Sequence, residues 1–320
     1  SAGCVLANRL SADPSVTVCL LEAGPPDYHP MIHIPAGFMK TLVDPSVNWL
    51  YESEPSYWTG GRSIAAPRGK TLGGSSSING HIYNRGQRLD FDVWAQRGNR
   101  GWGYADVLPY FKRTERRIGE GDETFRGREG NMAVTDIDWQ HPLCDAFILG
   151  AVSLGIPHNK DYNGQIQEGV SYAQRTIHGG RRMSTARGYL RPAMKRKNLT
   201  VRTNAHATQI LLDGKTATGV RYSEGGRHGI PTEVHARREV ILSGGAVNSP
   251  QLLQLSGIGD PELLRGLGIE VRHALPGVGE NLRDHYAPRF TARVKNSNSI
   301  NELARGPRLW GEIFKYFTGQ

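Results

Sequence analysis

The residue types best suited to chemistry lie in one run, residues 68–86: Arg-Gly-Lys-Thr-Leu-Gly-Gly-Ser-Ser-Ser-Ile-Asn-Gly-His-Ile-Tyr-Asn-Arg-Gly. Only Leu72, Ile78 and Ile82 in it are aliphatic, which argues against a fully buried strand. Gly73 and Gly74 let the backbone approach a ligand closely or take positive φ. Ser75, Ser76 and Ser77 add hydroxyls and favour the start of a helix. Successive N–H groups in such a turn make a concavity that suits an anion or the polar edge of a cofactor. An ordinary loop has the same composition, so the neighbouring segments decide between the two. Glu22 closes a short apolar run, where a carboxylate accepts hydrogen bonds from ribose hydroxyls; an ordinary strand-end Glu is the alternative. Gly244 and Gly245 follow a second apolar run and let the chain turn tightly beside a ligand.

These residues need elements to hold them. Val5, Leu6 and Leu10 at helical spacing predict a helix over residues 2–10, ended by Asp13-Pro14. Residues 16–21 read as a buried parallel strand running into Glu22-Ala23-Gly24. Helix, strand and strand-end acid form the second half of a dinucleotide-binding βαβ unit. Gly3 is then the last glycine of G-x-G-x-x-G, and the other two, with the first strand, would lie upstream of Ser1. Residues 25–61 are rich in Pro, Tyr and Trp. His29 and His33 are spaced to bind metal on a helix, but Pro30 between them argues against that helix. Residues 85–117 predict two short amphipathic helices around a glycine turn, with Phe91, Trp94, Val107, Leu108 and Phe111 as packing residues. A loop is expected over 118–130, a short strand at 131–134, a helix at 141–154 and extended chain at 169–177. Ser184 is placed to cap a helix through Leu190. Residues 199–236 read as a strand followed by a β-meander, and 239–243 as a buried strand reaching Gly244. Ser249 caps the next helix with Pro250 in its first turn, and Gly257 ends it. A strand is expected from Phe290.

Composition bounds the partners. A chain of 320 residues usually forms more than one domain. The net charge of +9 raises a nucleic-acid binder as a possibility, tested by salt-dependent affinity. The basic residues come in scattered pairs and triplets such as Arg116-Arg117 and Lys195-Arg196-Lys197, which reads as a solvated surface with no nucleic-acid partner. Cys4, Cys19 and Cys144 show no C-x-x-C spacing and point to a reducing, cytoplasmic compartment. No apolar run reaches the length of a membrane span. No G-x-S-x-G elbow occurs, which disfavours a serine hydrolase. Both ends of the chain read as cut.

Residues 69–79, continuing to Tyr83 and Gly86, and the run Gly-Ala-Val-Asn-Ser-Pro-Gln-Leu-Leu-Gln-Leu-Ser-Gly-Ile-Gly at 245–259 together resemble the two signatures of the glucose–methanol–choline (GMC) family of flavin oxidoreductases. The segments between resemble its choline-dehydrogenase branch, so the likeness covers nearly the whole chain. It implies an α/β fold: a Rossmann-like FAD-binding domain with an inserted β-meander over residues 1–137 and 178–286, plus part of an α+β substrate domain over 138–177 and 287–320. It implies FAD contacts from Gly3, Glu22, Ala23, Gly24, Arg68, Thr71, Leu72, Gly73, Gly74, Ser75, Asn79, Gly80, His81, Ile82, Ala207, Gly244, Gly245, Asp284 and His285. Ile78 stands where some choline-oxidising members carry a flavin-linking histidine, so the FAD is expected to be non-covalent. The implied reaction is oxidation of a primary alcohol, choline or another, to the aldehyde, with hydride passing to flavin N5. The electron acceptor stays open. The family's histidine base belongs to its C-terminal part, so no catalytic residue is assigned and the 320-residue fragment is expected to be inactive. A redox-silent, FAD-containing lyase of the same family is the rival within it.

Overall fold

The computed structural model describes residues 1–285 and 291–318. They form two compact units, Ser1–His81 with Arg181–Arg283, and Ile82–Gly180 with Asp284–Gln320. The contact boundary thus falls at His81, whereas the expected cofactor domain runs on to residue 137.

The first unit opens with helix α1, Ala2–Leu10, which buries Cys4, Ala7 and Asn8 and carries Arg9 in its last turn, where a cation suits the carbonyl end. An Asp13 turn, its Oδ1 accepting the Ser15 N–H at 2.8 Å, leads to strand β1, Val18–Leu21. A short helix α2, Pro30–His33, follows, against the sequence expectation. Pro30 occupies its first turn, where a missing N–H costs nothing, and His29 caps it by accepting the Met31 N–H at 3.2 Å. His33 Nε2 lies 2.7 Å from the Asp27 carbonyl oxygen and His29 Nε2 3.4 Å from Asp44. After the second unit's insertion come β2, Leu199–Arg202, β3, Ala205–Asp213, β4, Thr216–Glu224, and β5, Ile230–His235. β1 pairs with β2 in parallel, Val18 opposite Leu199, and β5-β4-β3 form the antiparallel meander. Because β1 has one neighbour among the described residues, its side chains are half-buried rather than buried and Cys19 is exposed.

Three further expectations fail. Residues 239–243 form no strand, and Ile241 is 43% exposed. A parallel strand needs a hydrogen-bonding neighbour, and none of the described strands pairs with this segment. Helix α3, Gly245–Leu255, begins before Ser249, so that residue is not a cap and Pro250 lies inside the helix. Gly257 does take the left-handed conformation that ends it, φ +83°. Residues 291–294 are not a strand, and Phe290 lies outside the described residues.

The second unit holds the two helices Arg88–Gln96 and Tyr104–Thr114, and the helix Pro142–Ser153. It also holds a strand that hydrophobic patterning does not reveal, Glu115–Ile118, parallel to Met132–Thr135. Its inward residues are charged. Glu115 is fully buried and accepts from Arg85 Nη2, from Arg126 Nε at 3.1 Å and from the Gly127 N–H at 2.9 Å. Arg126 also pairs with Asp161 and donates to Gln174 at 3.0 Å. Removing one member of such a buried network strands its partners' charge, at a cost of about 3–5 kcal/mol. Glu115→Ala should therefore destabilise the protein by that order in guanidinium denaturation, and a loss under about 1 kcal/mol, the scale of an exposed pair, would show that solvent screens the network.

Candidate functional site

The first unit brings most of the singled-out residues together. Glu22 leaves β1 with its N–H bonded to the Arg202 carbonyl at 2.9 Å, while its own carbonyl receives Ala205 N–H at 2.9 Å. Its carboxylate accepts the Gly24 N–H at 2.9 Å. The chain then turns against the Gly/Ser run. A Cβ on Gly24 would overlap the Lys70 carbonyl, so glycine is required there. Thr71 Oγ1 donates to the Pro25 carbonyl at 3.0 Å and Leu72 N–H to the same oxygen at 3.2 Å. Thus the strand-end acid with Ala23 and Gly24 adjoins residues 70–72, which lie 46 positions further along the chain.

The run itself is a tight turn. Gly73 and Gly74 have φ of +92° and +56°, and Gly74–Ser77 is one turn of 3₁₀ helix. A Cβ on Gly69 would overlap the Gly74 carbonyl, and Ser75 Oγ accepts the Gly69 N–H at 3.1 Å. Arg68 is fastened by its N–H to Asn48 Oδ1 at 3.1 Å. Asn79 and Gly80 are exposed; His81 is buried with φ +67° and meets Phe38 edge-on at 5.8 Å. Ile78 is buried in an apolar cluster with Ile32 and Val47.

Gly3 is closely packed: a Cβ there would come within 3.3 Å of Ser243 Cβ and 3.4 Å of Leu20 Cδ1, so the serine would have to give by a few tenths of an ångström. The Ser243-Gly244-Gly245 corner therefore passes the start of α1, with Gly245 at φ +90°. Ala207 lies on β3 opposite Tyr222, two residues after the Ala205 that pairs with Glu22. Ile82, Asp284 and His285 belong to the second unit. There Ile82 bridges Arg175, and Asp284 Oδ1 accepts the His285 N–H at 2.8 Å. A groove of about 360 Å³ in that unit, lined by Arg85, Tyr104, Tyr162 and Gln167 among others, holds none of the expected flavin residues.

Sequence reasoning missed the segment that backs the run. Arg182, 1% exposed, donates from Nε to the Ile32 carbonyl at 2.7 Å and from Nη1 to the Asn79 carbonyl and Oδ1 at 2.7 and 2.8 Å. Thr185 N–H donates to Ser76 Oγ at 3.0 Å, and the two hydroxyls lie 2.9 Å apart. A single π turn, Ala186–Leu190, continues from there, with Ser184 Oγ accepting the Arg187 N–H at 3.2 Å. Nothing in residue type or spacing marks a lone Arg and Thr as partners of a loop a hundred residues away.

A cofactor with a ribose and a polar ring edge fits these residues: a strand-end carboxylate, a loop of obligatory glycines, and the exposed Asn79 and Gly80 beside them. Among the described residues no three His, Cys, Asp or Glu side chains could together hold a metal ion, and no helix is long and apolar enough to cross a membrane.

A parallel strand pair, a helix opened by a close-packed glycine and an acid at a strand's carboxyl end define an α/β unit of the dinucleotide-binding kind. The model for the GMC oxidoreductase family matches residues 4–287, and the chain belongs to that family. It is 48% identical over 289 residues to an oxygen-dependent choline dehydrogenase of Staphylococcus saprophyticus, covering 89% of this chain and 51% of that protein. It is 45% identical over 285 residues to an alcohol dehydrogenase (acceptor) of Pseudomonas putida, covering 89% and 51% respectively. The fold superposes on an FAD-dependent oxidoreductase of Chaetomium thermophilum with a TM-score of 0.82 at 32% identity, over 88% of this chain and 50% of that one. The chain spans about half the length of the curated relatives it matches.

Glu22 gives the site a pH signature. Burial pushes its carboxyl up to about 7, against the pull of the Gly24 N–H. A raised carboxyl pKa favours the fold while the acid is neutral, so the contribution is complete below the unfolded value and is lost as pH rises through about 7. Without added nucleotide, the stability of Glu22→Gln relative to wild type should rise between pH 5 and 8 by up to about 3 kcal/mol, because each tenfold change in proton affinity between the folded and unfolded chains corresponds to about 1.4 kcal/mol. A pH-independent difference in urea melts would place Glu22 in water.

Proposed function

We propose that this chain is the FAD-holding part of an enzyme that oxidises a primary alcohol, choline-like or other, to the aldehyde. The observation that carries the reading is the adjacency of Glu22–Gly24 to the Gly/Ser run at residues 69–80. That adjacency supports reading Glu22 as the carboxylate that accepts from a ribose, since a loop with exposed polar groups lies beside it. The relatives support the chemistry, since they are a choline dehydrogenase, an alcohol dehydrogenase and an FAD-dependent oxidoreductase.

In this reading the first unit is the cofactor domain. Glu22 accepts from the ribose, Gly24 and Gly3 let the backbone pack closely, and residues 71–80 hold the ring end. His81, Ala207, Gly244 and Gly245 complete the cofactor contacts of this unit. Residues 138–177 and 291–318 belong to the substrate domain. FAD, when bound, supplies the hydride acceptor. These residues bind and orient it, and none of them is assigned as the catalytic base. Attachment is non-covalent, because the Ile78 side chain has no nucleophilic atom and is buried against Ile32 and Val47.

The test is to purify the protein, reconstitute it with FAD and precipitate it with acid. Yellow colour should leave with the supernatant; colour that stays with the polypeptide would refute non-covalent binding, and no flavin uptake at all would refute the cofactor reading. Glu22→Ala should weaken FAD binding by about tenfold or more, the loss of a hydrogen bond to a charged group. Unchanged affinity by fluorescence titration would remove Glu22 from the ribose.

A further inference from the structure

Arg182 is a buried cation with no counter-charge in contact among the described residues. Its guanidinium bonds only to neutral oxygens, of Ile32, Ser76 and Asn79. Among the described residues no carboxylate lies within ion-pair distance of it, and its Nη2 has no hydrogen-bond partner. Burial pushes its pKa down, yet only to about 10, so it stays charged at neutral pH. The other fully buried arginine, Arg126, shows the contrast, since it faces Glu115 and Asp161.

Apart from the bond to Ile32, this guanidinium donates to the Ser76–Asn79 stretch, the part of the run nearest its exposed end. Thr185, three residues on, takes hold of Ser76 by N–H and hydroxyl. A purely structural brace would need donors but not a permanent charge. A fixed charge behind a cofactor loop tunes the electronics of what the loop holds.

We propose that Arg182 and Thr185 are positioning residues for the cofactor: together they fix residues 73–79 in the ligand-holding shape, and the Arg182 charge makes the flavin easier to reduce by favouring negative charge on its ring. The inference rests on the FAD reading above. Arg182→Lys keeps the charge and loses the planar fork, Arg182→Gln keeps donors and loses the charge, and Thr185→Val removes the hydroxyl while keeping the shape.

The experiment measures FAD affinity by fluorescence titration and flavin midpoint potential by dye equilibration in the FAD-loaded protein. Arg182→Gln and Arg182→Lys should each weaken FAD about ten- to a hundredfold, and Thr185→Val about two- to tenfold, the ranges for bonds to charged and to neutral groups. The potential should fall in Arg182→Gln and stay at the wild-type value in Arg182→Lys and Thr185→Val. Altered folding alone would not produce that split. Wild-type affinity in both Arg182→Lys and Thr185→Val would overturn the brace, even if Arg182→Gln failed to fold. An equal fall of potential in Arg182→Lys and Arg182→Gln, or none in Arg182→Gln, would overturn the charge role. A wild-type protein that takes up no flavin would overturn the FAD reading and this inference with it, which distinguishes that failure from the others.

Discussion

The first unit depends on where the carbonyls of residues 72–79 find donors. A Gly/Ser turn has no ladder to pair with, yet buried backbone oxygens must be paired. Here the Ser75 carbonyl takes the Ile78 and Asn79 N–H groups, and other carbonyls take side chains, several from far along the chain. Ser77 Oγ takes Leu72 at 2.7 Å, Ser76 Oγ takes Gly73 at 2.7 Å, and Ser1 Oγ takes Gly73 at 3.1 Å. Arg182 takes Ser76 and Asn79. Each neutral bond contributes about 1 kcal/mol and each bond to the guanidinium about 1.5–3 kcal/mol. Together they offset part of the several kcal/mol that desolvating the Arg182 charge costs. The start of α1 and the 182–187 segment are held in place because they supply these donors.

The two units bury charge by opposite means. In the second, Arg85 and Arg126 face Glu115 and Asp161, two cations against two anions, with Gln174 and Asn163 bonded to each other at 2.9 Å at the edge. That network is electrically closed and has no chemistry left over, as expected of a structural device. In the first unit neither Arg182 nor Glu22 has an opposite charge in salt-bridge contact among the described residues. Glu22 belongs to a segment that the proposed function assigns to the cofactor, and Arg182 is bonded to another, at Asn79.

Much of this was legible in the sequence, and the failures are physically informative. The α1 helix, the β1 strand and the meander follow from apolar spacing and turn residues, and the Gly73-Gly74 turn from the only residue type that takes positive φ freely. The Glu115–Ile118 strand was illegible because its inward side chains are charged and become buriable only through partners at Arg85 and Arg126. Residues 239–243 look like a strand locally, but strand formation is a property of pairs, and no described strand pairs with them. Pro30 argues against a helix only from an interior position, whereas it occupies the first turn of α2. Within the site, Glu22 and the glycines carry a signal in their type and spacing. Arg182 and Thr185 carry none, because their role exists only once residues a hundred positions apart are folded together.

The cost left in Glu22 and Arg182 couples folding to ligand binding. A carboxyl raised to about 7 by burial is a group the fold holds at a loss near neutral pH. Ribose hydroxyls would repair that loss by donating to it, and added negative charge near residues 76–79 would do the same for Arg182. A ligand that binds only the folded state stabilises it in proportion to the logarithm of its concentration over Kd. Part of that affinity is therefore the relief of penalties that the unliganded fold already carries at Glu22 and Arg182.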